Sequence, residues 1–186
     1  MQEATQVRLK DGRLALIRQA VPDDAQAATN FVNIVTSEKK YLLRERATWT
    51  IDEERRTIAA ADGKESVFFV AEIDGRLSGS INLARGRWPK NKHVAELAIS
   101  CLPSCRGVGL GTALMTRGIE WARSVGVLKL TLQVFATNKR AIALYEKMGF
   151  EEEARLREHF RFDGKLFDNI LMALWLKPIP RANKPL

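Results

Sequence analysis

Three features of the 186-residue sequence are of kinds that do chemistry. They are a glycine-rich turn, Arg106-Gly107-Val108-Gly109-Leu110-Gly111, a tyrosine on an amphipathic stretch, Tyr145, and a carboxylate within an apolar strand, Glu96. A glycine turn that joins a strand to a helix leaves several backbone N–H groups unpaired and aimed outward, where they can hold phosphate oxygens. A Walker loop would place a lysine and a hydroxyl directly after its last glycine, but Gly111 is followed by Thr112 and Ala113. A dinucleotide fingerprint needs G-x-G-x-x-G, whereas Gly107, Gly109 and Gly111 simply alternate. The spacing that fits is Arg-x-x-Gly-x-Gly on Arg106, Gly109 and Gly111.

That turn, followed by Asn138-Lys139-Arg140-Ala141-Ile142-Ala143-Leu144-Tyr145-Glu146-Lys147-Met148-Gly149-Phe150, resembles the acyl-CoA pyrophosphate loop and the N-x-x-A-x-x-L-Y-x-x-x-G-F helix of the GNAT superfamily of N-acetyltransferases. The resemblance runs in order over roughly residues 66–176. It implies an α/β fold, a single GNAT-like domain whose mixed, mostly antiparallel sheet has about six to seven strands, a central splayed parallel pair and about four flanking helices. It also implies acetyl-CoA as acyl donor, with direct transfer to the primary amine of a small molecule such as an amino acid or polyamine, through a ternary complex and without a metal. The strand edge of Ile99, Ser100 and Cys101 would pair with the pantetheine amides, and Arg106, Gly107, Val108, Gly109, Leu110, Gly111 and Thr112 would hold the pyrophosphate. Asn138 would bind the cofactor arm, and Tyr145 would face its sulfur.

The reaction sets the roles that remain. A lysine-like amine with a pKa of ~10.4 is mostly protonated at neutral pH, and supplying its free base costs about 4 to 5 kcal/mol, so a base is needed. Glu96 matches the glutamate that histone-acetylating relatives use, and His93, at the entrance of the same strand, is a weaker rival. A simple thiolate, pKa ~8.5, is a moderate leaving group, so a positioned acid helps by ~10²- to 10⁴-fold; Tyr145 is the candidate acid. Gln133 stands where ribosomal-protein acetyltransferases carry a glutamate, which weakens a protein-substrate reading. Asp163-Gly164, Asp168 and Met172 resemble the ending of relatives that acetylate small amines; Asp168 has two readings, attraction of a cationic amine or a solvated charge at a strand start. The alternatives are a protein amino-terminal or lysine acetyltransferase and a non-catalytic acyl-CoA-binding module. Each residue also has a plainer role open to it: Tyr145 as a core aromatic, Asn138 as a helix cap, Glu96 as a structural strand carboxylate.

The elements that must position these groups follow from periodicity. Strands are expected at residues 14–20, 67–71, 77–83, 94–102, 128–135, 150–162 and 167–176, with hairpin turns at Asp74-Gly75 and Asp163-Gly164. Thr50 and Glu53 form a capping box for a helix over 51–61, and further helices begin near Leu110 and Asn138. Tyr41–Trp49 has no clean period and is read as part of a substrate wall. With 46% hydrophobic residues the chain suits one domain over 1–176, with an extended or disordered tail over 177–186. No apolar run approaches the ~18 residues of a membrane span, so a soluble, cytoplasmic protein is expected. Cys101 and Cys105 are too few for a disulfide framework, and with His93 and His159 they show no zinc spacing. The net charge of +8 favours anionic ligands, but the basic cluster at 85–92 reads as a solvated loop and nucleic acid is not expected as a partner. A homodimer through the carboxy-terminal strands is possible by family resemblance alone.

Overall fold

The computed structural model describes residues 4–39 and 46–177. Residues 41–45 of the expected substrate wall and 178–186 of the expected tail lie outside them.

The two hairpins form where turn chemistry put them. Asp74 and Gly75 both take positive φ, as do Asp163 and Gly164, the geometry that matches the twist of paired strands. The first turn joins Ser66–Ile73 (β3) to Arg76–Arg85 (β4), and the second joins Glu151–Phe162 (β7) to Lys165–Trp175 (β8). Leu14–Gln19 (β2) pairs antiparallel with β3, and Val94–Cys101 (β5) with β4. The sheet has eight strands rather than six or seven, in the order β1-β2-β3-β4-β5-β6-β8-β7. The strand beyond expectation is Thr5–Arg8 (β1), a four-residue edge of mixed polarity whose sequence carries no alternation, and it exists through pairing with β2.

The one parallel pair among the described residues is β5 with Lys129–Phe135 (β6). Its ladder covers only Val94–Glu96 against Lys129–Thr131, although both strands run on. Beyond Glu96 the two strands therefore diverge, and one edge of β5 is left without a strand partner.

Helices cover both faces. Ala25–Thr36 (α1) and Ile51–Ala59 (α2) pack together on one, the latter opened by the expected capping box: Glu53 N–H donates to Thr50 Oγ1 at 3.2 Å, and Thr50 N–H to Glu53 Oε2 at 2.7 Å. Leu110–Ser124 (α3) lies on the other face and buries Leu110, Leu114, Met115 and Trp121 completely against β3, β4 and β5. Full burial of side chains this size contributes about 1.5–3 kcal/mol each. The Trp121 indole donates to Gly63 O at 2.8 Å, so no polar atom is stranded by its burial. Lys139–Lys147 (α4) turns Tyr145 into the core with Phe150 6.1 Å away between ring centroids.

Candidate active site

The site forms where β5 and β6 part. Pro103 ends β5, a 3-10 turn spans Pro103–Cys105, and Gly107 and Gly109 carry φ of 82° and 99°, in the left-handed region that side chains disfavour. Gly109 is the N-cap of α3 and has no side chain to occupy the helix end. As a result the N–H groups of residues 107–112 find no acceptor among the described residues, and they cluster at the positive end of a 15-residue helix. Gly111 serves another purpose. A Cβ there would sit 3.0 Å from Leu144 Cδ2, so the missing side chain lets α4 approach α3.

A cavity of about 600 Å³ runs from this turn to Tyr145. Ile99, Ser100, Cys101, Arg106, Gly107, Gly109, Gly111, Thr112, Asn138, Tyr145 and Glu96 all border it. Two of the expected cofactor residues do not: the Leu110 side chain is fully buried under α3, and Val108 spends its carbonyl on Lys10 N–H at 2.9 Å. Leu110 can therefore offer a ligand only its main-chain N–H. The Arg106 guanidinium is committed elsewhere. It grips Glu38 through two bonds of 2.9 and 2.5 Å and donates through Nε to Cys101 O at 3.1 Å, fastening the end of β5 to the residue just beyond α1. Asn138 does cap α4, accepting from Ala141 N–H at 3.2 Å, and does so from within the cavity wall.

Tyr145 is 7% exposed, and burial, reinforced by the nearby Cys101, pushes its hydroxyl up to about 12. It remains a neutral donor throughout the physiological range. The same burial holds the Cys101 thiol up to about 12, which makes it a poor nucleophile. Glu96 sits at the last rung of the parallel ladder, where Gln133 Nε2 donates to its Oε1 at 3.3 Å. Gln133 Oε1 in turn accepts from Asn169 Nδ2 at 2.8 Å.

A second cavity, about 860 Å³, lies on the α1 side of the sheet. Phe31, Trp49, Phe68, Phe135 and Phe160 give it an aromatic wall. It shares Val35, Ala98, Ser100, Gln133 and Val134 with the first, so the two meet through the gap between β5 and β6. Phe160 reaches it because β7 carries a bulge between Leu156 and Phe160, where Glu158 takes φ of 51°. The bulge is held by Asp168, whose Oδ1 accepts from Glu158 N–H at 3.0 Å while Oδ2 lies 3.6 Å from Arg155 Nη1. Asp168 thus serves the wall and borders neither of these two cavities. His93 borders neither; its carbonyl receives Leu128 and Lys129 N–H.

Four residues were not anticipated. Lys10, from the loop after β1, and Arg140, on the first turn of α4, border the first cavity beside the glycine turn. Glu38 holds Arg106, and Asn169 holds Gln133. Only Arg140 left a trace in the sequence, as a cation two residues into the motif helix. Among the described residues no group of three or more His, Cys, Asp and Glu is gathered as for a metal, and no helix is long and apolar enough to cross a membrane.

An α/β sheet that splays at one parallel pair, with an N–H cradle at the splay, suits a ligand that joins phosphate to an amide-bearing arm. A sequence model of the acetyltransferase (GNAT) family matches residues 31–150. The chain is 36% identical over 121 residues to an N-alpha-acetyltransferase of Sulfurisphaera tokodaii, covering 59% of this chain and 69% of that protein. It is 33% identical over 108 residues to an L-amino acid N-acetyltransferase of Escherichia coli, covering 56% of this chain and 65% of that one. A putative acetyltransferase from Salmonella typhimurium, solved with its cofactor acetyl-CoA, has the same fold: TM-score 0.81 at 21% identity, over 98% of this chain and 99% of that one. The protein belongs to the GNAT acetyltransferase family, the acetyl-CoA-dependent N-acetyltransferases.

Proposed function

We propose that the protein transfers the acetyl group of acetyl-CoA to the primary amine of a small molecule, directly, within a ternary complex. The observation that carries this reading is the meeting of two cavities at the β5–β6 gap, with Glu96 and Tyr145 at the wall of one and aromatic rings around the other.

The residues fit the donor. The N–H groups of residues 107–112, unpartnered among the described residues, with Lys10 and Arg140 beside them, suit a pyrophosphate, and the edge of β5 without a strand partner suits an amide-bearing arm. Acetyl-CoA supplies the activated acyl thioester. Glu96, exposed at the end of the parallel ladder, takes the proton that the attacking amine gives up, directly or through one water. Gln133 orients it, since an amide N–H fixes one carboxylate oxygen and leaves the other free. The Tyr145 hydroxyl donates to the departing sulfur. Cys101, protonated and without a base beside it, forms no acyl intermediate. The aromatic second cavity supports an amine with an apolar body over an extended polypeptide.

Thiol release from acetyl-CoA across amino acids, polyamines and short peptides tests this, with Glu96→Gln alongside. Turnover of a small-amine class, reduced at least ~10²-fold in Glu96→Gln with coenzyme A binding unchanged, is the expected result. Turnover confined to peptides would replace the small amine by a protein amino terminus. Tight coenzyme binding without any turnover would favour a non-catalytic acyl-CoA-binding module.

A further inference from the structure

The Glu96 carboxylate and the Gln133 and Asn169 amides form a hydrogen-bonded chain whose polarity is fixed from one end. Glu96, as a carboxylate, can only accept, so Gln133 must turn its NH₂ group toward it. That leaves Gln133 Oε1 facing Asn169, which must therefore donate through its own NH₂. Asn169 Oδ1 is then an acceptor with nothing to accept. The residue is 0% exposed, and its Oδ1 has no hydrogen-bond partner among the described residues. Rotating the Asn169 amide does not relieve this, because two carbonyl oxygens would then face each other.

Buried polar groups are nearly always paired, so an orphan of this kind requires a reason. Asn169 borders the second cavity, at a place in β8 set opposite Phe135 on β6 and Leu156 on β7, where the β7 bulge begins. The wall around it includes the side chains of Phe135, Phe160 and Gln133, and its Oδ1 meets a ligand only when these shift.

Building on the acetyltransferase reading above, we propose that Asn169 is the acceptor-recognition residue of the second cavity: its Oδ1 receives the N–H that a primary amine keeps after acetylation, while the amine's apolar body packs among Phe68, Phe135 and Phe160. A primary amine carries two N–H bonds as the free base. One proton leaves during transfer, by way of Glu96, and the other stays on the product amide. An N-methyl amine has no second hydrogen and cannot satisfy Asn169. The substrate class is thus a primary amine attached to an apolar or aromatic group.

The test compares a primary aromatic alkylamine, phenethylamine, with its N-methyl form in wild type, Asn169→Leu and Asn169→Ala. Leucine keeps the volume; alanine leaves room should leucine not fit. Wild type is expected to favour the primary amine by at least ~30-fold in kcat/KM, with that ratio falling to about 3-fold or less in the variants, chiefly through KM for the amine. Coenzyme A binding by calorimetry, unchanged in both, reports that the fold is intact. An unchanged ratio in a variant that binds coenzyme A overturns the role of Asn169 while leaving the acetyltransferase reading standing. If wild type acetylates neither these amines nor any on the wider panel, the reading falls and the proposal falls with it.

Discussion

Replacing Tyr145 by phenylalanine isolates one hydroxyl. The ring stays in place beside Phe150, and the hydroxyl makes no hydrogen bond to protein among the described residues, so its removal strands no partner and should not lower stability. The effect on transfer is another matter. A positioned acid contributes ~10²- to 10⁴-fold, or about 2.7 to 5.4 kcal/mol of barrier at ~1.36 kcal/mol per decade. Because burial pushes the hydroxyl up to about 12, it keeps its proton across the working range. The rate should therefore rise with pH as the amine deprotonates and show no falling limb near 10, where an ordinary tyrosine would ionise. Thiol release between pH 6 and 11, for wild type and Tyr145→Phe, measures both. A loss below about threefold, with coenzyme A affinity preserved, would remove Tyr145 from the chemistry and leave it a packing residue.

Gly109→Ala should cost about 1–2 kcal/mol of stability and weaken coenzyme A binding, because φ of 99° strains any side chain. A Cβ there would lie 3.8 Å from Lys10 Cγ, so the effect is backbone strain and not a clash; urea unfolding and calorimetry read the two parts. Asp168→Ala removes the carboxylate that holds the β7 bulge. It should cost about 1 kcal/mol and raise KM for the amine, with KM for acetyl-CoA unchanged. Stability should also fall in alkali. Cys101 and Tyr145 have ordinary values of 9.0 and 10.0 and are both raised to about 12 in the fold. Above pH ~9 the unfolded chain releases protons that the native state keeps, and stability declines by up to ~1.4 kcal/mol per pH unit for each group. Urea midpoints at pH 8, 10 and 11 should fall less steeply in Tyr145→Phe; parallel curves would contradict the shift.

What the sequence determined by itself is local. The type of each hairpin turn, the Thr50–Glu53 cap, the glycine turn and the face of α4 that carries Tyr145 depend on residues within a few positions of one another, and their chemistry is written there. The tertiary structure decided what depends on strand order. Glu38 meets Arg106 across 68 positions, Glu96 meets Gln133 across 37, and Gln133 meets Asn169 across 36. No periodicity reports such pairs. Asp168 shows the difference most plainly: in sequence it is a charge at a strand start, and in the fold it holds the neighbouring strand's bulge. The β1 edge is of the same kind, four residues without a pattern that become a strand because β2 offers unpaired N–H and C=O groups. The second cavity too is a product of packing, since its aromatic wall is assembled from α1, the segment before α2, β3, β6 and β7, which only the fold brings together.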